Sequence, residues 1–194
     1  LSNHALHAAN AARAPRTLLA TSTHDTKWGE DARARLAVLS ELPAAWADFH
    51  LLALAAMPSD AHGLHAHPAG IAGEDLYMLL QRLVASWPCE WTVSTVVRGE
   101  AAIPEAERTG YITRLKEATT KSLREAKLRS SWSLPNALHE EQCLGSIDAL
   151  LSWSLDAGAG AKARAFLAQV ATLGMRNSLA QVTLKLTVPG AKGP

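Results

Sequence analysis

Within four consecutive residues, His24-Asp25-Thr26-Lys27, the chain gathers an imidazole, a carboxylate and an ammonium, flanked by Thr23 and Trp28. Glycosidic bond chemistry passes through an oxocarbenium-like transition state, which calls for nearby negative charge and for acceptors that hold sugar hydroxyls. Asp25 would supply both. His24, with a neutral imidazole near pH 7, can hydrogen-bond a hydroxyl without adding a full charge. Lys27 can hold further hydroxyls or pair with a carboxylate. Taken alone, a His-Asp pair serves a loop or a helix cap as readily as a site. Its meaning therefore depends on the elements around it.

Other chemistry-bearing residues point elsewhere. His62, His65 and His67 stand close together, but no acidic or cysteine partner completes a ligand set. They read as a solvated histidine-rich loop, and no metal is expected. Cys89 and Cys143 form neither a C-x-x-C pair nor a disulfide framework, so they read as buried or idle thiols in a reducing compartment, with a cytoplasmic location as the expectation. Glu117 and Lys121 are four apart in a helical stretch, which marks a solvated face with an ion pair worth only about 0.3–0.5 kcal/mol.

The element in front of the His-Asp pair is a compact apolar run, Arg16-Thr-Leu-Leu-Ala-Thr-Ser22, set off by Pro15. Such a run opening into polar residues has the form of a buried parallel strand with a loop at its C-terminal end. In (β/α) barrels, that end carries the catalytic groups. Nearly all the rest has helical period. Ala32, Leu36, Leu39 and Leu42 share one face, behind Glu30 and Asp31 at the positive end and ahead of Pro43 as a stop. Trp46, Phe49, Ala53 and Ala56 form a second stripe closed by Pro58, and Ser59 to Gly73 reads as a loop rich in Gly, Pro and His. Leu76, Leu79, Leu80, Leu83 and Trp87 mark a helix ending at Pro88.

The longest helix is expected from Pro104 to about Arg129, with Ile112, Leu115, Ala118, Leu123 and Ala126 inward. Asn136 can cap the next, which carries Leu144, Ile147, Leu151 and Leu155. Gly158 and Gly160 separate it from Phe166, Leu167, Val170 and Leu173, and Gly174 reads as a C-terminal cap. Met175, Leu179, Val182 and Leu186 fit a helix, while Val182, Leu184, Leu186 and Val188 fit a strand. The chain is mainly α.

Its 194 residues suffice for one domain with a core, and 48% hydrophobic with 19% charged residues reads as globular. A formal net charge of +1 gives no field for nucleic acid. The apolar runs fall short of the ~20 residues needed to span a bilayer. Neither a nucleic acid nor a membrane is expected as a partner, and no signal for an oligomeric state is present.

The stretch Arg16 to Lys27, followed by Gly29-Glu-Asp-Ala-Arg-Ala-Arg-Leu-Ala-Val-Leu-Ser-Glu-Leu-Pro43, resembles the maltooligosyltrehalose synthases of the α-amylase superfamily, glycoside hydrolase family 13. The resemblance continues, in order, through Asp75 to Pro88, Leu123 to Trp132 with Pro135-Asn136, and Asn177 to Gly190. It implies an incomplete (β/α) TIM-type barrel joined to a helical insertion: residues 1–28 as a barrel segment ending in a seventh-strand-like His-Asp motif, 29–173 as the insertion, and 174–194 as a barrel helix leading to a missing eighth strand. It favours helix for Met175 to Leu186. By the same resemblance, Asp25 matches the third carboxylate of an amylase-type site, His24 its substrate-binding histidine, and Lys27 belongs to the motif. Trp28 replaces the family's usual Arg, and Arg129 and Ser130 replace a His and a Thr of a Lys-x-His-Thr-Ser-Trp pattern.

The implied reaction is an intramolecular transglucosylation of maltooligosaccharides, an isomerisation of the reducing-end α-1,4 linkage to α,α-1,1 in trehalose biosynthesis, with no cofactor. A retaining route also needs a nucleophilic and an acid/base carboxylate, which the family places on earlier barrel strands. The chain is therefore expected to be a fragment, inactive alone. The competing readings are a non-catalytic helical module that binds a protein partner and a part of another amylase-type hydrolase.

Overall fold

Capping chemistry sets most of the boundaries. The computed structural model describes residues 2–12, 20–57, 71–92 and 103–187, the side chain of Asp25 excepted. Its helices are α1 (Asn3–Ala11), α2 (Glu30–Val38), α3 (Pro43–Ala56), α4 (Gly73–Ser86), α5 (Cys89–Thr92), α6 (Glu105–Ala126), α7 (Ala137–Leu155) and α8 (Ala161–Thr187). Ser2 and Asn136 cap α1 and α7 through their side-chain oxygens, accepting from the backbone N–H of Ala5 and His139 at 3.2 Å each. Among the described residues there is no strand. Most of the expected strand at 16–22, and His62, His65 and His67, lie outside them.

Two expectations are corrected at prolines and glycines. Pro43 does not stop α2, which ends at Val38; it opens α3, where a missing N–H removes nothing from the helix. Gly174 is no cap. It lies inside the 27-residue α8, where a Cβ would come within 2.8 Å of the Arg35 Cα. The glycine lets the backbones of α2 and α8 approach, and helix continues through Met175 to Leu186 as the resemblance favoured. The same seam explains why α2 buries Ala34 and Val38 rather than the Ala32, Leu36, Leu39 and Leu42 face. Held between α4 and α8, the helix needs small residues at its closest approach.

Helix α8 is the spine, touching α2, α3, α4, α5 and α7. Phe49, Phe166, Trp46 and Trp153 form an aromatic layer among α3, α7 and α8, with Phe49 and Phe166 stacked at 4.8 Å. A second aromatic row runs from Trp87 through Trp91 to Tyr111, with centroids 5.2 and 5.0 Å apart. That row turns the inward stripe of α6 to Tyr111, Leu115, Thr119 and Leu123, leaving expected Ala126 exposed and Ile112 and Ala118 half-buried. Lys121 reaches Glu125 at 4.0 Å instead of Glu117.

Arg35 fastens α2 to the end of α4 by donating to the carbonyls of Ala85 at 3.4 Å and Trp87 at 2.5 Å, orphan acceptors of a helix terminus. At the corner between α7 and α8, Arg164 donates to three carbonyls, those of Ser154, Asp156 and Ala157. Gly160 is needed there, because a Cβ would lie 2.2 Å from the Trp153 carbonyl oxygen. No helix among the described residues is long and apolar enough to cross a membrane.

Candidate functional site

The His-Asp pair sits in a single 3₁₀ turn, His24–Thr26, between two half-buried anchors, Thr21 and Trp28. Thr26 builds the turn. Its hydroxyl accepts from the Thr23 N–H at 3.2 Å and donates to the Thr23 carbonyl at 2.7 Å. Lys27 ends the turn in the left-handed region, φ 63°, a conformation unfavourable for a side chain with a Cβ. His24 is exposed and Asp25 is the middle residue of the turn.

Three helices hold this turn in place. Thr21 and Lys185 of α8 both donate to the Glu30 carboxylate, which lowers its pKa, the Lys185 contact being the larger cause and Thr21 the second. Lys27 stands 3.7 Å from Glu125 of α6, with 60% of its own side chain exposed. Of the two roles open to that lysine, the structure displays carboxylate pairing. Arg82 of α4 covers the Trp28 ring, its guanidinium carbon 5.3 Å from the centroid. One face of Trp28 is thus taken by a protein cation.

Two hollows lie beside these contacts, one reached by Thr21 and the other by Arg82. A cleft of about 470 Å³ between α2 and α8 is lined by Thr21, Glu30, Arg33, Asn177 and Gln181. Another of about 320 Å³ lies between α4 and α6, lined by Arg82, Ser86, Tyr111 and Arg114. Both fall within the range of roughly 300–1,000 Å³ typical of small-ligand sites. In the second, burial pushes the Tyr111 hydroxyl up to about 12, against a smaller opposing effect of its 2.9 Å hydrogen bond with Ser86.

The segment of the altered Lys-x-His-Thr-Ser-Trp pattern lies where α4, α6 and α7 meet. Lys127 caps α6 at φ 56°. Arg129 donates to Glu74 and, at 3.3 Å, to Asp75. Arg124 grips Glu140 through two hydrogen bonds of 2.8 and 2.7 Å, while Ser130 donates to the same carboxylate. Arg124 first and Ser130 second hold the Glu140 carboxyl down at about 2. Trp132 lies under the Arg124 guanidinium, 5.1 Å from ring centroid to carbon.

Beside this network, Asp75, His139 and Cys143 are all buried, and one ligating atom from each lies within 4.8 Å of the others. His139 Nε2 is 3.3 Å from Asp75 Oδ2 and 3.8 Å from Cys143 Sγ. Burial first, then the Asp75 charge, keep the proton on the Cys143 thiol, its pKa pushed up to about 12. From the sequence, Cys143 reads as a buried or idle thiol. A signal was present in the i, i+4 spacing of His139 and Cys143, which puts both on one face of a helix. The carboxylate from α4 carried none, because it arrives from a distant element. Cys89, in contrast, is half-buried and accepts from Arg35 at 3.0 Å.

Comparison with known proteins gives one consistent result. Curated sequences from two strains of Mycobacterium tuberculosis, both named maltooligosyl trehalose synthase, are 33% identical to this chain over 176 residues, 91% of its length. The crystal structure of a Sulfolobus tokodaii hypothetical maltooligosyl trehalose synthase matches with a TM-score of 0.62 and 28% identity, over 97% of this chain and 23% of that one. The glycosyltrehalose synthase of strain DSM5389 matches with a TM-score of 0.64 and 28% identity, over 100% of this chain and 22% of that one. No protein-family model matches. The chain spans about a fifth of the length of the curated relatives it matches. By sequence and by fold, it is the counterpart of one stretch of those enzymes.

Proposed function

We propose that this chain supplies the helical insertion and one catalytic carboxylate of a maltooligosyl trehalose synthase, an intramolecular transglucosylase of the α-amylase superfamily that converts the reducing-end α-1,4 linkage of a maltooligosaccharide to α,α-1,1. The observation that carries the proposal is the colinear match over 91% of the chain. It is supported by the turn at His24–Thr26, pinned at both ends by α4, α6 and α8 so that the backbone of Asp25, between His24 and Thr26, is held in place.

In this reading, Asp25 stabilises positive charge at the anomeric carbon and orients hydroxyls, which a carboxylate does at no reorganisation cost when it is held in place beforehand. His24 donates to or accepts from a sugar hydroxyl. Lys27, 3.7 Å from Glu125, holds the turn and keeps donors for a sugar hydroxyl. The nucleophile and the acid/base carboxylate come from barrel strands absent from this chain, so the chain alone performs no turnover.

Helix α8 supports the same reading. Met175, Leu179, Val182 and Leu186 recur at helical spacing along its second half and are between 47% and 81% exposed. An apolar stripe on a helix is a face made for packing. In this reading, the stretch of α8 from residue 174 to 187 is a barrel helix whose sheet partners belong to the remainder of the enzyme.

The test is a graft. The 176-residue matching stretch of the Mycobacterium tuberculosis relative is replaced by this chain, and maltopentaose conversion to a product ending in trehalose is followed. The graft converts it, the isolated chain does not, and Asp25→Asn in the graft lowers kcat by about 10²–10³-fold, the scale of losing one preorganised electrostatic contact. A graft carrying Asp25→Asn that turns over as fast as its parent would refute the assignment.

A further inference from the structure

We propose that Asp75, His139 and Cys143 form a binding site for a borderline divalent transition-metal ion of the zinc or cobalt class. His139 and Cys143 stand one turn apart on α7 and Asp75 faces them from the first turn of α4. Ions of this class bind thiolate, imidazole and carboxylate with tetrahedral geometry. Bond lengths of about 2.0–2.3 Å make the edges of such a tetrahedron roughly 3.4 Å between nitrogen and oxygen and roughly 3.6 Å between nitrogen and sulfur. The observed separations are 3.3 Å and 3.8 Å. The third pair, the Asp75 oxygen and Cys143 Sγ, lies within 4.8 Å, against roughly 3.6 Å in such a tetrahedron, so the ion draws the carboxylate and the thiolate together by side-chain rotation. The fourth position is left to water.

Charge and surroundings favour a cation. The carboxylates of Asp75, of its neighbour Glu74 and of Glu140 are answered by the guanidiniums of Arg124 and Arg129. With the His139 imidazole neutral, as a ligand must be, that leaves one uncompensated negative charge. A divalent ion that displaces the thiol proton of Cys143 brings the group to neutrality, and metal binding releases protons in this way. Arg129, 3.3 Å from Asp75, takes the part of an outer partner that orients a ligating carboxylate. Cys143 is 0% exposed, while the side chains of His139 and Asp75 retain 10% and 11%. The entry path is on their side. No residue of the 21–28 turn takes part, so this site stands or falls independently of the sugar reading.

The experiment is a cobalt(II) titration of the 194-residue chain carrying His62→Ala, His65→Ala and His67→Ala, which removes three competing histidines. One equivalent of cobalt produces a near-ultraviolet thiolate-to-cobalt charge-transfer band, and one equivalent of zinc bleaches it. Cys143→Ser abolishes the band and Cys89→Ser keeps it. Asp75→Asn, which keeps the thiol and the shape of the side chain, weakens cobalt binding at least about tenfold, the lower end for disturbing a metal site. Helical circular dichroism verifies folding of each variant. Absence of the band, its survival in Cys143→Ser, its loss in Cys89→Ser, or unchanged affinity in Asp75→Asn would each overturn the assignment.

Discussion

Replacing Gly174 by alanine tests the close seam between α2 and α8. The new Cβ would lie 2.4 Å from Arg35 Cγ, 2.8 Å from its Cα and 3.1 Å from its Cβ, against about 3.5–4.0 Å for comfortable carbon contact. Because one of those atoms belongs to the backbone, rotating a side chain cannot relieve the crowding. The helices must separate by roughly an ångström, and overpacking of this kind costs about 1–3 kcal/mol. Separation also pulls Arg35 away from the Ala85 and Trp87 carbonyls it caps. Alanine repays part of this, since it favours helix over glycine by about 1 kcal/mol.

The expected net effect of Gly174→Ala is therefore a loss of about 1–2 kcal/mol, or a few degrees in Tm for a chain of this size. Gly145→Ala is the matched control. That glycine lies in α7 with nothing within 4 Å of the added methyl, so the propensity gain of about 0.5–1 kcal/mol is unopposed. Urea unfolding followed by circular dichroism measures both. Equal stabilities for the two variants, or a Gly174→Ala chain more stable than its parent, would refute the packing argument.

Two further outcomes follow from local chemistry. Asn136→Ala removes the oxygen that accepts from His139 N–H and lowers stability by about 1 kcal/mol in the same unfolding assay, whereas Asn136→Ser retains most of it. Tyr111 holds its proton more tightly when folded, up to about 12, than its ordinary 10 when unfolded. Its contribution is thus intact below about pH 10 and fades as pH rises toward 12, by about 1–3 kcal/mol in all. Unfolding measured from pH 9 to 12 falls less steeply in Tyr111→Phe than in the parent.

What could be read from residues alone was whatever is set by neighbours in the chain. Asn136 as a cap, Pro104 at a helix start, the stripes of α3 and α4, and the break at Gly158 and Gly160 depend on periodicity and capping, and the structure reproduces them. Gly174 could not be read correctly, because a glycine in a helical pattern marks a stop or a close crossing equally well until the other helix is known. Tyr111 replaced Ile112 on the inward face of α6 for a similar reason: Trp91, from another element, decides it. The His-Asp turn was found by residue type and by likeness to a family. The cluster of Asp75, His139 and Cys143 escaped because its carboxylate is supplied by a fold contact.

Continuity of α8 through Gly174 has a mechanical consequence. At 27 residues, it is a rod of about 40 Å, packed against α2, α3, α4, α5 and α7, with α2 following it from Gly174 through Asn177 to Lys185. No break in the helix divides its first half from the one bearing Met175, Leu179, Val182 and Leu186, and the triple grip of Arg164 stiffens the bend that feeds it. Torque applied to the exposed stripe reaches the helical body as rotation of the whole shaft, and through Glu30 and Lys185 it reaches the base of the His24–Thr26 turn.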